Sequence, residues 1–131
     1  MTTPTDSKRY VVDSAGWIEY FGNGPKAESF APYLENSEQL LLPTIVVYEV
    51  YKKLLRSGEN TVAERFLSQA FSADAHAIAI DIGVAALAAK FSLELKLAMA
   101  DALIYACARN HKAELVTSDR HFDQLPDVIL F

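Results

Sequence analysis

The chain has 131 residues, of which 51% are apolar and 22% charged, and its 12 basic and 17 acidic residues give a formal net charge of −5. A chain of this length can bury about two-thirds of the surface that its unfolded form exposes, so global disorder is excluded and one domain is expected. The acidic balance excludes a general cationic coat for nucleic acid, which works by neutralising phosphates, but leaves open an enzyme that sets metal ions between its carboxylates and a phosphate.

Residues 1–8 are polar, carry Pro4 and read as a flexible tail ahead of a single domain over 9–131. Arg9 to Val12 gives a short strand ending at Asp13, and Ser14 opens a helix to about Phe21. Gly22-Asn23-Gly24-Pro25 is a turn by its chemistry. A helix from Lys26 to Leu34 sets Phe30 and Leu34 on one face. Gln39 to Leu42 is a short buried strand stopped by Pro43, after which Thr44 caps a helix running to Arg56 and ending at Ser57-Gly58. Another helix, Asn60 to Phe71, turns Val62, Phe66 and Leu67 inward. His76 to Ile80 reads as a strand, and Asp81 caps a helix carrying Val84, Leu87, Ala88 and Phe91. The alanine-rich run from Leu97 to Arg109 is a helix closed by Asn110. Glu114 to Thr117 is a strand, Ser118 to Leu125 a loop or short helix, and Val128 to Phe131 a last strand.

Short apolar strands alternating with helices predict a mostly parallel sheet covered on both faces, a three-layer α/β/α sandwich. Ligands of such sheets collect outside the carboxyl ends of the strands. A lone cysteine, Cys107, can form neither an internal disulfide nor a cysteine-based zinc site, and a reducing cytoplasm is the expected compartment. The N-terminal residues lack the apolar core of a signal peptide, and Leu97 to Ala108 is too short to span a bilayer, so no membrane association is expected.

Asp13 and Asp119 each follow a strand, and if those strands are neighbours their carboxylates meet at one end of the sheet. Either acid could equally serve only as a cap to the next turn. Asp101 has Leu97, Ala98, Ile104 and Tyr105 as its helical neighbours, none of them charged. It is either a metal ligand or a first-turn acid favoured by the helix dipole, and the two readings are compatible. Glu49 falls nearly opposite the apparent core stripe Val47, Val50, Tyr51 and Leu54, beside Lys52, Lys53 and Arg56, where a solvated pair with Lys53 explains it. Glu19, Glu28, Glu35, Glu38, Glu59, Glu64 and Asp74 read as solvated surface. His76, His111 and His121 lack a histidine partner four residues away and read as surface or structural residues. No nucleophile elbow and no phosphate-binding glycine loop occurs.

Four stretches, Val-Val-Asp13-Ser-Ala-Gly-Trp, Val-Val-Tyr-Glu49-Val-Tyr, Ala-Asp101-Ala-Leu-Ile-Tyr and Val-Thr-Ser-Asp119-Arg-His-Phe, resemble those of PIN-domain ribonucleases, and more narrowly the VapC-type toxins of toxin–antitoxin pairs. The resemblance runs from about Tyr10 to Phe131. It implies a PIN-like α/β/α sandwich in which Asp13, Glu49, Asp101 and Asp119 converge on Mg²⁺, with Mn²⁺ as a substitute, and it replaces the solvated reading of Glu49. Thr117 or Ser118 would orient the fourth acid or a phosphate, and Asp123 is an outer-shell candidate. Lys52, Lys53, Arg56 and Arg120 are candidate phosphate contacts, or ordinary surface charge. Ahead of Asp101 many family members carry Gly and Pro where this chain has Leu93-Glu94-Leu95-Lys96-Leu97, a departure that bears on the start of the helix.

The implied chemistry is endonucleolytic cleavage of RNA by metal-activated water, leaving 5′-phosphate and 3′-hydroxyl ends. The family also implies a VapB-like antitoxin that inserts an arginine among the acids, and toxin homodimers within a larger assembly. A phospho-acceptor domain would need paired acids at the first strand and a lysine after the last; a haloacid-dehalogenase-type phosphatase would need an acid at Ala15. A non-catalytic module docking a basic partner, and a histidine-driven, metal-independent ribonuclease, are the competing readings.

Overall fold

The computed structural model describes residues 8–131. The tail expected over residues 1–8 therefore lies, Lys8 apart, outside the described residues. Among these, five strands form one parallel sheet: β1 (Tyr10–Val12), β2 (Leu40–Pro43), β3 (Ala77–Ile78), β4 (Glu114–Thr117) and β5 (Val128–Leu130), in the order β3-β2-β1-β4-β5. The connections hold α1 (Ser14–Phe21) and α2 (Ala27–Leu34), then α3 (Thr44–Arg56) and α4 (Asn60–Ser72), then α5 (Ile82–Leu95) and α6 (Met99–Asn110). The crossovers from β1 to β2 and from β2 to β3 run one way across the sheet, and the crossover from β3 to β4 runs back. With right-handed connections this places α1–α4 on one face and α5–α6 on the other, the expected three-layer sandwich.

The middle of the sheet is its driest part. Val11, Val12, Leu115 and Val116 are fully buried, as strands covered on both faces require. On one face Trp17 and Phe21 meet Phe66 edge-on at 5.3 and 5.8 Å. On the other Phe91 packs on Tyr105 at 4.9 Å. The Tyr105 hydroxyl donates to the Pro126 carbonyl at 2.7 Å, tying α6 to the approach to β5.

Three local expectations are corrected. Thr44 is the first helical residue of α3 rather than its cap; Pro43 holds that place, and the Thr44 hydroxyl donates to the Ile78 carbonyl at 3.4 Å. The strand expected over His76 to Ile80 shrinks to two residues. Its neighbour β2 ends at Pro43 and turns at once into α3, so Ala79 and Ile80 have no strand beside them. His76 lies in a 3₁₀ turn, with Nδ1 at 3.0 Å from the Ser37 carbonyl and 3.2 Å from that of Leu40. Finally, α3 buries Val46, Val50 and Leu54, while Val47 and Tyr51 are half-buried. At about 100° per residue, the inward face is rotated by roughly 50° from the one read in the sequence. Glu49 thereby moves from the back of the helix to its flank.

The segment that departs from the family pattern resolves without Gly or Pro. Helix α5 ends at Leu95, Lys96 takes the left-handed conformation (φ 56°), and Leu97 is buried. The Ser92 hydroxyl donates to the Leu97 carbonyl at 2.8 Å, and α6 starts at Met99. Asp101 is therefore in the first turn of α6.

Gly16 sets how closely α1 lies on the sheet. A Cβ there would stand 2.6 Å from Val12 Cγ1 and 2.7 Å from Phe30 Cε1, two side chains that are fully buried. Overpacking of this kind costs about 1–3 kcal/mol, against a helix-propensity gain of about 1 kcal/mol on replacing glycine. Gly16→Ala is expected to lower the melting temperature; an unchanged or raised value in thermal denaturation would contradict the close approach.

Candidate metal centre at the carboxyl edge of the sheet

Strands β1 and β4 are neighbours, paired Val12 with Val116, so the residues that follow them emerge side by side. The chain leaves β1 toward one face and β4 toward β5, which makes this the point where ligand crevices open in parallel sheets. Asp13 comes directly after β1, is 5% exposed and caps α1 through Oδ1, which accepts from the Gly16 N–H at 2.9 Å. Its Oδ2 accepts from the Thr117 hydroxyl at 2.5 Å. Thr117 Oγ1 in turn accepts from the Asp119 N–H at 3.0 Å, so one buried hydroxyl fixes both strand-end acids. With no exposed surface, Thr117 holds acids and has no face to offer a phosphate. Ser118 is half-buried between them.

Asp119 caps the 3₁₀ turn Arg120–Phe122, its Oδ1 accepting from the His121 N–H at 2.9 Å. Asp101 enters from α6 and is half-buried. Nδ1 of His121 stands 3.2 Å from Asp119 Oδ1 and 3.9 Å from Asp101 Oδ2. Glu49 approaches from the flank of α3, where Oε1 accepts from the Ser14 hydroxyl at 2.5 Å. The solvated Glu49–Lys53 pair is absent: among the described residues no cation forms an ion pair with Glu49.

The acids feel one another. Burial pushes the Asp13 carboxyl up from 3.8 to about 6; the hydrogen bonds from Thr117 and Gly16 oppose this, and the charges of Asp119 and Asp101 add to it. Asp101 is raised by burial first, then by Asp119 and Glu49, with His121 pulling the other way. The charges of Asp13, Asp101 and Asp119 thus act on one another, and that of Glu49 acts on Asp101. Asp101, Asp119 and His121 each offer a ligand atom within 4.8 Å of the other two. Carboxylate oxygens clustered without a full complement of cations suit a hard divalent ion, so the donor set fits one.

The basic residues lie further out. A groove of about 460 Å³ between α1 and α3 is lined by Ser14, Tyr48, Glu49, Lys52, Lys53 and Arg56 among others, and it opens beside Glu49. Lys52 donates to the Tyr48 hydroxyl at 3.1 Å. Arg120 and Asp123 are exposed on the turn after Asp119. Sequence reasoning missed Ser14 and His121 as members of this edge. Ser14 follows Asp13 directly, and that adjacency was the available signal; His121 was set aside because the rule applied to it concerns helical spacing.

The PIN domain family model matches residues 10–128. The chain belongs to the PIN-domain family. Its fold is similar to that of a chain in a toxin–antitoxin complex from Klebsiella pneumoniae, with a TM-score of 0.73 and 23% identity over 92% of this chain and 95% of that one. It is similar also to a chain of VapBC2 from Rickettsia felis, solved bound to a DNA fragment from its promoter (TM-score 0.71, 20% identity, 93% and 96% covered). A chain of FitAcB from Neisseria gonorrhoeae matches with a TM-score of 0.73 and 23% identity over 93% and 96%. No curated protein is detectably similar in sequence. No helix among the described residues is long and apolar enough to cross a membrane.

A carboxyl whose folded pKa lies above its unfolded value binds its proton more tightly when folded. Its contribution is complete below about pH 4 and is lost as pH rises through about 6. A shift of about two units corresponds to on the order of 2–3 kcal/mol. In excess EDTA the wild type should therefore lose stability between about pH 4.5 and 7. Asp13→Asn, which keeps the cap to Gly16, should be the more stable protein near neutrality. Urea melts across this range check it; parallel profiles with the variant less stable throughout would contradict the account.

Proposed function

We propose that this chain is a VapC-type toxin, a metal-dependent endoribonuclease held in check by a VapB-like antitoxin. The observation that carries the reading is that Asp101 and Asp119 offer oxygens within 4.8 Å of each other at the carboxyl edge of the sheet, with the charge of Glu49 acting on Asp101 and theirs on Asp13. Asp13, Glu49, Asp101 and Asp119 are the metal-binding and catalytic residues of this proposal. A divalent ion held there, Mg²⁺ with Mn²⁺ as a substitute, would supply Lewis acidity and lower the pKa of water.

The chain's own residues do the rest. Thr117 and the cap to Gly16 hold Asp13 so that its carboxylate does not reorient. Asp101 and Asp119 present oxygens to the same small volume. Ser14 keeps Glu49 turned toward the edge. Lys52, Lys53 and Arg56 line a groove that Glu49 also lines, and Arg120 is exposed next to Asp119; these cations attract the phosphates of the RNA strand toward the acids. The products are 5′-phosphate and 3′-hydroxyl ends, and the reaction belongs to the cytoplasm.

An antitoxin arginine reaching the acids would neutralise them by bidentate contact and exclude metal and substrate together. Structures with the same fold are toxin–antitoxin complexes, among them VapBC and FitAB assemblies solved bound to DNA, which supports the assignment of a partner of this kind. A homodimer within such an assembly is part of the proposal, and exposed Ile82, Leu93 and Met99 provide apolar surface for it.

Purified, antitoxin-free chain incubated with total RNA should release discrete fragments in Mg²⁺ or Mn²⁺ and none in excess EDTA. Asp101→Asn should reduce the rate by about a hundredfold or more. Cutting that persists in EDTA would overturn the four-acid mechanism. A folded chain that binds a basic partner but cuts no RNA would overturn the nuclease and favour a docking module.

A further inference from the structure

We propose that His121 is a nitrogen ligand to the divalent ion of this centre and biases it toward Mn²⁺ over Mg²⁺. The inference rests on the reading of the acids as a metal site and adds to it a residue outside the four acids. In an octahedral site with bonds of about 2.0–2.1 Å, neighbouring ligand atoms stand about 3 Å apart and opposite ones about 4 Å apart. His121 Nδ1 lies 3.2 Å from Asp119 Oδ1 and 3.9 Å from Asp101 Oδ2, both inside the span of one coordination sphere.

The backbone builds this approach. The 3₁₀ turn that follows Asp119 buries Phe122 completely, 6.0 Å from Tyr105 between ring centroids. The same turn leaves the His121 side chain 78% exposed, at the acids rather than in the core. The His121 N–H donates to Asp119 Oδ1, so backbone and ring of one residue address one carboxylate. An exposed ion pair of this kind adds little to stability. As a ligand, by contrast, a neutral imidazole supplies a donor without adding a further negative charge to a cluster that already carries several. Imidazole favours transition ions, whereas Mg²⁺ takes carboxylate and water. The other described histidines do not approach the cluster: His76 Nδ1 faces the carbonyls of Ser37 and Leu40, and His111 Nδ1 that of Cys107.

The test is pulsed electron paramagnetic resonance on the full chain loaded with Mn²⁺, with Mn²⁺ and Mg²⁺ affinities measured by titration and competition. Wild type should show ¹⁴N coupling from a directly bound imidazole. His121→Asn should lose that coupling and bind Mn²⁺ roughly tenfold more weakly, with a smaller change for Mg²⁺. Bound Mn²⁺ without ¹⁴N coupling, or an unchanged Mn²⁺-to-Mg²⁺ preference in the variant, would overturn the role of His121 while leaving the acids as the metal site. Wild type that binds neither ion would overturn the metal-site reading itself.

Discussion

Three carboxylates brought together by separate elements cannot all be solvated, and this crowding is the constraint on which the rest of the molecule depends. Asp13 is the extreme case: it is buried, its neighbours are acids, and its two oxygens are spoken for by Gly16 and Thr117. Such a group destabilises the fold at neutral pH unless something positive joins it. The fold keeps the arrangement because the same atoms serve a second purpose, as the cap of α1 and as the link between β1 and β4. Structure and charge are thus set against each other at one place, and a divalent cation is the kind of partner that reconciles them.

The architecture delivers this crowding through a few contacts. Parallel pairing of Val12 with Val116 sets the ends of β1 and β4 level. Gly16 lets α1 settle onto Val12 and Phe30, which fixes the direction of the Asp13 cap. The left-handed turn at Lys96 and the anchoring of Leu97 start α6 two residues before Asp101, so that carboxylate enters with the first helical turn. Phe122 seats the turn that carries Asp119 and His121. None of these residues is an acid.

Much of this was legible in the sequence, and the failures have physical causes. Buried β-branched runs marked β1; β4 and α1 fell on the expected residues, and α3 ends at Arg56 as expected, just ahead of Gly58, though its cap is Pro43 and not Thr44. The strand around His76 was overread because an apolar run says nothing about whether a neighbouring strand exists to pair with it. Glu49 was misplaced on local evidence by a rotation of half a helical face, since Val46 and Val47 are equally apolar and only tertiary packing chooses between them. The family resemblance places Glu49 with the other acids, and its position on the flank of α3, with its charge acting on Asp101, is compatible with that. His121 was invisible to a rule built for helical pairs: the turn that brings it to Asp101 joins residues twenty positions apart, and no spacing pattern encodes such a meeting.

What remains to be measured is whether the acids at the end of β1 and β4 and the start of α6 form one cation site. Crystals of the full chain soaked in Mn²⁺ and measured for anomalous scattering address it most directly. A strong peak enclosed by the side chains of Asp13, Asp101 and Asp119 is expected. A well-ordered cluster with no peak, or Mn²⁺ bound only elsewhere on the surface, would contradict it.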